Sequence, residues 1–180
     1  MEKIKILILS ANPKNTDRLR IEEEVREIET ELERAKSRDR FQIINKGAVR
    51  VDDLSRALLD YEPQIVHFSG HGLGTEGLAL ENNLGKMQLV STEALARLFK
   101  VFKDNIKCVF LNACYGEAQA EAIYQHIDCV VGMNQNVRDR TAIEFAKGFY
   151  RALGSGRSIE EAFELGCTAI DLAGISESST

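Results

Sequence analysis

Ile65-Val66-His67-Phe68-Ser69-Gly70-His71-Gly72-Leu73-Gly74 and Ile106-Lys107-Cys108-Val109-Phe110-Leu111-Asn112-Ala113-Cys114-Tyr115-Gly116 decide how this chain folds. Each begins as a short apolar run with β-branched and aromatic residues and ends on small ones. That is the pattern of a buried strand running out into a loop. Outward from this pair the same alternation recurs. Ile4–Leu9 is continuously apolar after its first residues, as a strand covered on both faces should be. Phe41–Ile44 and Cys129–Met133 are two more strands. Helical periodicity fills the intervals. Ile21, Val25, Ile28, Leu32 and Ala35 form one stripe on a helix expected over about 17–37, with Glu and Arg residues on its other faces. Further helices are expected over about 53–60, 92–102, 117–126, 139–153 and 158–173. Asp52 or Asp53 caps the first of these, Ser91 or Thr92 the second, and Ser158 with Glu161 forms a capping box for the last. Gly77–Leu80 and Met87–Val90 flank a turn-like stretch and read as a β-hairpin.

Strands alternating with helices predict an α/β fold, doubly wound, with a mostly parallel sheet, helices on both faces and a small β-hairpin insertion. The 180 residues fit a single domain, 1–180, large enough to bury a sizeable core. With 44% hydrophobic and 28% charged residues the chain is neither disordered nor fibrous. A formal net charge of -5 argues against a nucleic acid partner. The longest aliphatic run, Ile6–Leu9, is far below the ~20 residues that span a bilayer, so no membrane partner is expected. Without a signal-peptide pattern at its start, the chain is expected to be cytoplasmic, with reduced cysteines. Cys108, Cys129 and Cys167 lie in apolar stretches and read as small core residues.

In open parallel sheets, ligands bind at the carboxyl ends of the strands. Here His71 follows one strand and Cys114 follows the next. A cysteine nucleophile acts as its thiolate and needs a base or cation close in the fold, not in the sequence. Gly70 and Gly72 leave room for a substrate chain beside the histidine. The backbone N–H groups of Gly72 and Cys114 are candidate oxyanion donors, and a helix starting near Glu117 would favour a thiolate. The residues alone leave a second reading open: a small, semi-buried cysteine and a solvated histidine. His67 reads as a satisfied core histidine rather than a metal ligand, and Ser69–Gly74 lacks the Gly-Lys-Ser/Thr of a phosphate loop.

Phe68-Ser69-Gly70-His71-Gly72 and Leu111-Asn112-Ala113-Cys114 resemble the two catalytic motifs of caspase-like cysteine peptidases. They resemble most closely the CHAT domain, a caspase-like module of bacteria often fused to repeat or signalling domains. Ile6-Leu7-Ile8-Leu9-Ser10-Ala11-Asn12-Pro13, the acidic first helix, Val90-Ser91-Thr92-Glu93-Ala94-Leu95 and Gly132-Met133-Asn134-Gln135 are similar to that domain as well, so the likeness covers nearly the whole chain. The resemblance implies a caspase-like fold and a cysteine endopeptidase that hydrolyses peptide bonds through a thioester. In it Cys114 is the nucleophile and His71 the general base and acid, with no obligatory third residue, no metal and no organic cofactor. It implies a protein or peptide substrate, with an activator or a fused or partner signalling domain beside it. It also implies a specificity pocket near Cys114, lined by Asn112 and by the loop 133–140, where Asp139 either attracts a basic substrate side chain or caps the following helix. Asn12 and Arg18 are further rim candidates. Two rival readings are a non-catalytic scaffold or regulatory module in bacterial signalling or defence, and a flavodoxin-like domain with a phosphate-sized pocket after the first strand.

Overall fold

The structure, a computed structural model, describes residues 2–133 and 139–175. These fall into two compact units. One holds residues 4–21 and 42–133; the other holds 2–3, 22–41 and 139–175.

The first unit is built on five strands: β1 (Ile4–Ser10), β2 (Phe41–Lys46), β3 (Ile65–Ser69), and, later in the chain, Cys108–Asn112 and Cys129–Gly132. Between them come β4 (His71–Gly72), β5 (Gly77–Glu81) and β6 (Met87–Ser91), so the last two strands of the large sheet are β7 and β8. The large sheet has the order β2-β1-β3-β7-β8. β1 with β3, β3 with β7 and β7 with β8 all pair in parallel. It is the mostly parallel α/β sheet with helices that the strand–helix alternation requires.

Three helices belong to this unit: α2 (Val51–Tyr61), α3 (Thr92–Val101) and α4 (Glu117–Tyr124), numbered after α1 of the other unit (Ile21–Arg34). Leu7 and Leu9 of β1, Val66 and Phe68 of β3, and Val109 and Leu111 of β7 share a core with Leu54 and Leu58, Leu95 and Phe99, and Ile123 from these helices. The alternate residues Ile6, Ile8, His67 and Phe110 are buried too. This explains why the central strands are continuously apolar rather than alternating. His67 is fully buried and stacks on Phe110, ring centroids 4.3 Å apart, as the core reading of that histidine requires.

Two helix starts differ from expectation. Neither Asp52 nor Asp53 caps α2. Arg50 occupies that place, and Asp53, at the third helical position, accepts its backbone N–H at 3.1 Å. α1 begins at Ile21, four residues later than the periodicity of 17–37 implies. The reason lies at Asn12, whose side chain takes both backbone groups of Leu19: Nδ2–H donates to the Leu19 carbonyl at 3.2 Å, and Oδ1 accepts the Leu19 N–H at 3.3 Å. A side-chain amide that satisfies the backbone this way holds it out of a helix.

The expected hairpin is present as β5 and β6. It gains a third strand from the glycine-rich loop itself, because β4 pairs antiparallel with β5, His71 opposite Ala79 and Gly72 opposite Leu78. In the second unit, Leu32 of α1 and Ala35, just past its end, meet Gly154 at the end of α5 (Asp139–Gly154). There α5 packs closely on α6 (Ile159–Leu172) through Gly148 and Gly166. Ser158 caps α6 in the expected capping box with Glu161. Cys167 is a correction: it is exposed on α6, not a core residue. Among the described residues no helix is long and apolar enough to cross a membrane.

Candidate active site

The register of the sheet brings the two sequence motifs side by side. Ser69 of β3 lies opposite Asn112 of β7, and both strands end there. The chains stay in step beyond the ladder, for the Gly70 N–H donates to the Asn112 carbonyl at 3.1 Å. Two residues further on along each chain stand His71 and Cys114. Their approach is close: a methyl group on Gly72 would overlap the Cys114 carbonyl and touch the Ala113 Cβ at 3.4 Å. Gly72 has no unusual torsion to accommodate, so crowding alone demands glycine there. Both His71 and Cys114 are half-buried, neither sealed in the core nor fully in water.

The turn that carries the cysteine is tight. The Gly116 N–H donates to the Ala113 carbonyl at 3.1 Å, and Tyr115 between them has φ 56°, a left-handed conformation uncommon for a bulky residue. Tyr115 is 52% exposed. Gly116 is then the N-cap of α4, so the helix begins within three residues of the sulfur.

The histidine has a partner that sequence reading missed. Its Nε2 lies 2.7 Å from the backbone carbonyl of Asp17. A carbonyl only accepts, so Nε2 carries the hydrogen, and Nδ1 is the nitrogen left with a lone pair. The arrangement therefore supplies a thiol and an imidazole whose Nε2–H is taken by a main-chain acceptor. That is the equipment for nucleophilic attack on a carbonyl.

A family model of the CHAT domain matches residues 3–165. The chain belongs to the CHAT family. It is 31% identical over 173 residues to a "Roc-COR-CHAT protease" of an unknown prokaryotic organism, an alignment covering 92% of this chain and 16% of that protein. It is 25% identical over 153 residues to a "Probable protease" of Gillisia limnaea, covering 84% of this chain and 27% of that one. The chain thus spans well under a third of the length of these relatives.

Within this CHAT domain, Asn112 sits half-buried at the end of β7, beside Ser69. Asp139 opens α5 in the second unit, at the first helical position, and the residues 134–138 of the expected pocket loop lie outside the described residues. Asn12 is spent on closing the loop after β1, so its side chain supplies no phosphate ligand there. One further residue supports the site from below. Gln119 of α4 is fully buried, and its Nε2 donates to the Gly74 carbonyl at 2.7 Å and to Thr92 Oγ1 at 2.8 Å, while Thr92 Oγ1 donates to the Thr75 carbonyl at 2.9 Å. It ties the segment after His71-Gly72 to α3 and α4. The only hint in the sequence is an amide at a position where α4 faces inward.

Cys108 and Cys129 face each other across β7 and β8, Sγ to Sγ 3.6 Å. The neighbouring Cys129 and burial push the Cys108 thiol well above its ordinary range. Burial and Asp171 push the Cys167 thiol up as well.

Proposed function

We propose that this chain is a caspase-like, CHAT-type cysteine endopeptidase working through a Cys114–His71 dyad. The observation that carries the reading is the seating of His71-Gly72 against Ala113-Cys114 at the level ends of β3 and β7, with the imidazole held by the Asp17 carbonyl. His71 Nδ1 takes the thiol proton, and the Cys114 sulfur attacks the scissile carbonyl carbon. The negative oxygen is met by the N–H groups of Gly72 and Cys114. Collapse breaks the C–N bond; the amine leaves with the proton from His71, and the acyl group stays on sulfur as a thioester. Water then gives a proton to His71, adds to the thioester carbon and releases the acid, restoring the thiol. The Asp17 carbonyl accepts from Nε2–H throughout and stabilises the imidazolium stage. No step calls for a metal or an organic cofactor.

Asn112, at the end of β7, lines a specificity pocket beside Cys114. Residues 1–180 act as one caspase-like domain in the cytoplasm, with a protein or peptide as substrate. An activator, or a signalling domain in the same or a partner chain, controls it; the name Roc-COR-CHAT protease supports such an arrangement.

The test is a peptidyl chloromethyl ketone together with a broad peptide library. The wild type should be labelled on Cys114 and should cleave; Cys114→Ala and His71→Ala should do neither. Equal labelling of all three proteins refutes the dyad. No cleavage by wild type alongside a stably co-purifying partner favours the scaffold or regulatory module instead.

A further inference from the structure

The segment that orients His71 is not held by the site itself. After β1 the chain makes a loop over residues 12–19, closed at its base by the two bonds between the Asn12 side chain and the Leu19 backbone. Inside it, the Pro13 carbonyl accepts from Thr16 N–H at 3.1 Å and Thr16 Oγ1 at 2.7 Å. The loop is fastened to the turn of the β5–β6 hairpin at three points. The Asn12 N–H donates to Glu81 Oε1 at 3.1 Å, the Lys14 N–H donates to the Gly85 carbonyl at 2.9 Å, and the Met87 N–H donates to Asn15 Oδ1 at 2.7 Å. Two residues beyond Asn15 comes Asp17, whose carbonyl meets His71.

Three anchors on one side and the imidazole on the other make the loop a spacer between hairpin and base. Of the anchors, Asn15 stands nearest Asp17 in sequence and forms the shortest bond. Asn15 is exposed, so a place in the core does not explain an acceptor there. A loop of this length with one proline gains its order from such bonds, because its backbone entropy must otherwise be restrained at every residue.

We propose that Asn15 is a positioning residue for His71: by holding the loop to the hairpin it keeps the Asp17 carbonyl on Nε2, and so keeps Nδ1 as the base facing Cys114. This rests on the dyad reading above. It makes the hairpin turn, some distance along the chain from either reactive residue, part of what sets the tautomer.

The experiment follows the rate of Cys114 alkylation by iodoacetamide against pH, resolved by peptide mass spectrometry. A thiolate–imidazolium pair reacts at about pH 6, where an ordinary thiol does not. Asn15→Ala should lower the rate near pH 6 by roughly five- to tenfold, the worth of one net hydrogen bond, and leave the rate near pH 10 unchanged. Asn15→Asp keeps the acceptor and should react at pH 6 at least as fast as wild type. A general loosening of the fold would instead raise alkylation at every pH. Wild-type behaviour of Asn15→Ala, or an Asn15→Asp variant as slow as Asn15→Ala, overturns the proposal. His71→Ala separates it from its foundation. If His71→Ala removes the low-pH reactivity and Asn15→Ala does not, only the role of Asn15 fails; if His71→Ala changes nothing, the dyad fails and the proposal with it. Imidazole 15N spectra of the wild type test the tautomer without any variant, and an Nδ1–H signal for neutral His71 also overturns the proposal.

Discussion

Gly72→Ala is the substitution that tests the site geometry most directly. The new methyl would fall on the Cys114 carbonyl oxygen, a backbone atom that no rotamer change can move. A carbon and an oxygen pack no closer than about 3.3 Å, so the His71-Gly72 strand and the 113–116 turn must separate by on the order of 1 Å. Each segment carries one residue of the proposed dyad, and the turn has little slack, closed as it is by the Gly116 N–H to Ala113 carbonyl bond with Tyr115 already left-handed. A shift of ~1 Å at reacting atoms costs about 10²-fold in rate, or about 2.7 kcal/mol of transition-state stabilisation. The overpacking itself should destabilise the fold by about 1–3 kcal/mol. The assay is the second-order rate of labelling by a peptidyl chloromethyl ketone, with a circular-dichroism melt on the same samples. The expected result is a folded protein with a lowered melting point and labelling slowed about a hundredfold. A Gly72→Ala protein that melts and labels like wild type would show that His71-Gly72 does not abut Cys114, and the mechanism would lose its geometric basis.

Other substitutions separate core from site. Cys114→Ala removes one half-buried sulfur at a strand end and should leave the thermal melt within a few degrees of wild type, whereas Ile8→Asp places a charge where the native residue has no accessible surface and should abolish cooperative unfolding. Peptide-resolved iodoacetamide labelling at neutral pH should modify Cys114 before Cys167, although Cys167 is the more exposed residue, because partial desolvation of its thiol group and the nearby Asp171 push that thiol up; Cys167 reacting first would refute this order. Arg151 Nε and Nη2 bind the two oxygens of Glu31 at 2.9 and 2.7 Å, and the Arg151 bond holds the Glu31 carboxyl below its usual range. A lowered folded-state value means stability that is present above the unfolded carboxylate range and lost as pH falls through the folded value. The melting-point advantage of wild type over Glu31→Gln should therefore be present at pH 7 and vanish in acid, and an advantage that persists at pH 2 would contradict the pairing.

The large sheet was readable because its signal is redundant. Each of β1, β3 and β7 is covered on both sides, so nearly every residue had to be apolar, and small residues mark where the strands stop. The register was not written in any one strand, yet it follows from them. Once β3 and β7 are neighbours ending level at Ser69 and Asn112, the equal two-residue steps to His71 and Cys114 do the rest. β4 was not readable. A histidine and a glycine have no strand propensity to speak of, and they pair with β5 because the hairpin presents its edge there. Asp53 was misplaced by one turn position because an aspartate near a helix start serves equally as N-cap or as the third residue of a capping box. Cys167 was misread because apolar neighbours on α6 do not all face inward; Phe163, Leu165 and Leu172 are exposed with it.

The loop after β1 shows why Cys114 and His71 could be singled out from sequence as the candidate dyad while the backbone group that meets His71 could not. Reactive side chains announce themselves by type, and a cysteine and a histidine at successive strand ends are few enough to notice. A main-chain carbonyl has no type. Asp17 serves through an atom every residue possesses, and its own carboxylate is exposed in the loop. What singles it out is that the chain there is not helical, and Asp17 to Arg20 carries the same polar and apolar alternation as the helix that follows. Local pattern therefore favoured continuing α1 backwards through these residues. The competing interaction is Asn12 closing on Leu19, a side-chain-to-backbone contact across seven residues that the spacing of apolar residues does not register. Extending α1 to Asp17 would have turned that carbonyl into the helical ladder and away from His71. The departure from local propensity and the availability of the acceptor are one event, and this is where a functional site is expected to override the rules that build the rest of the fold.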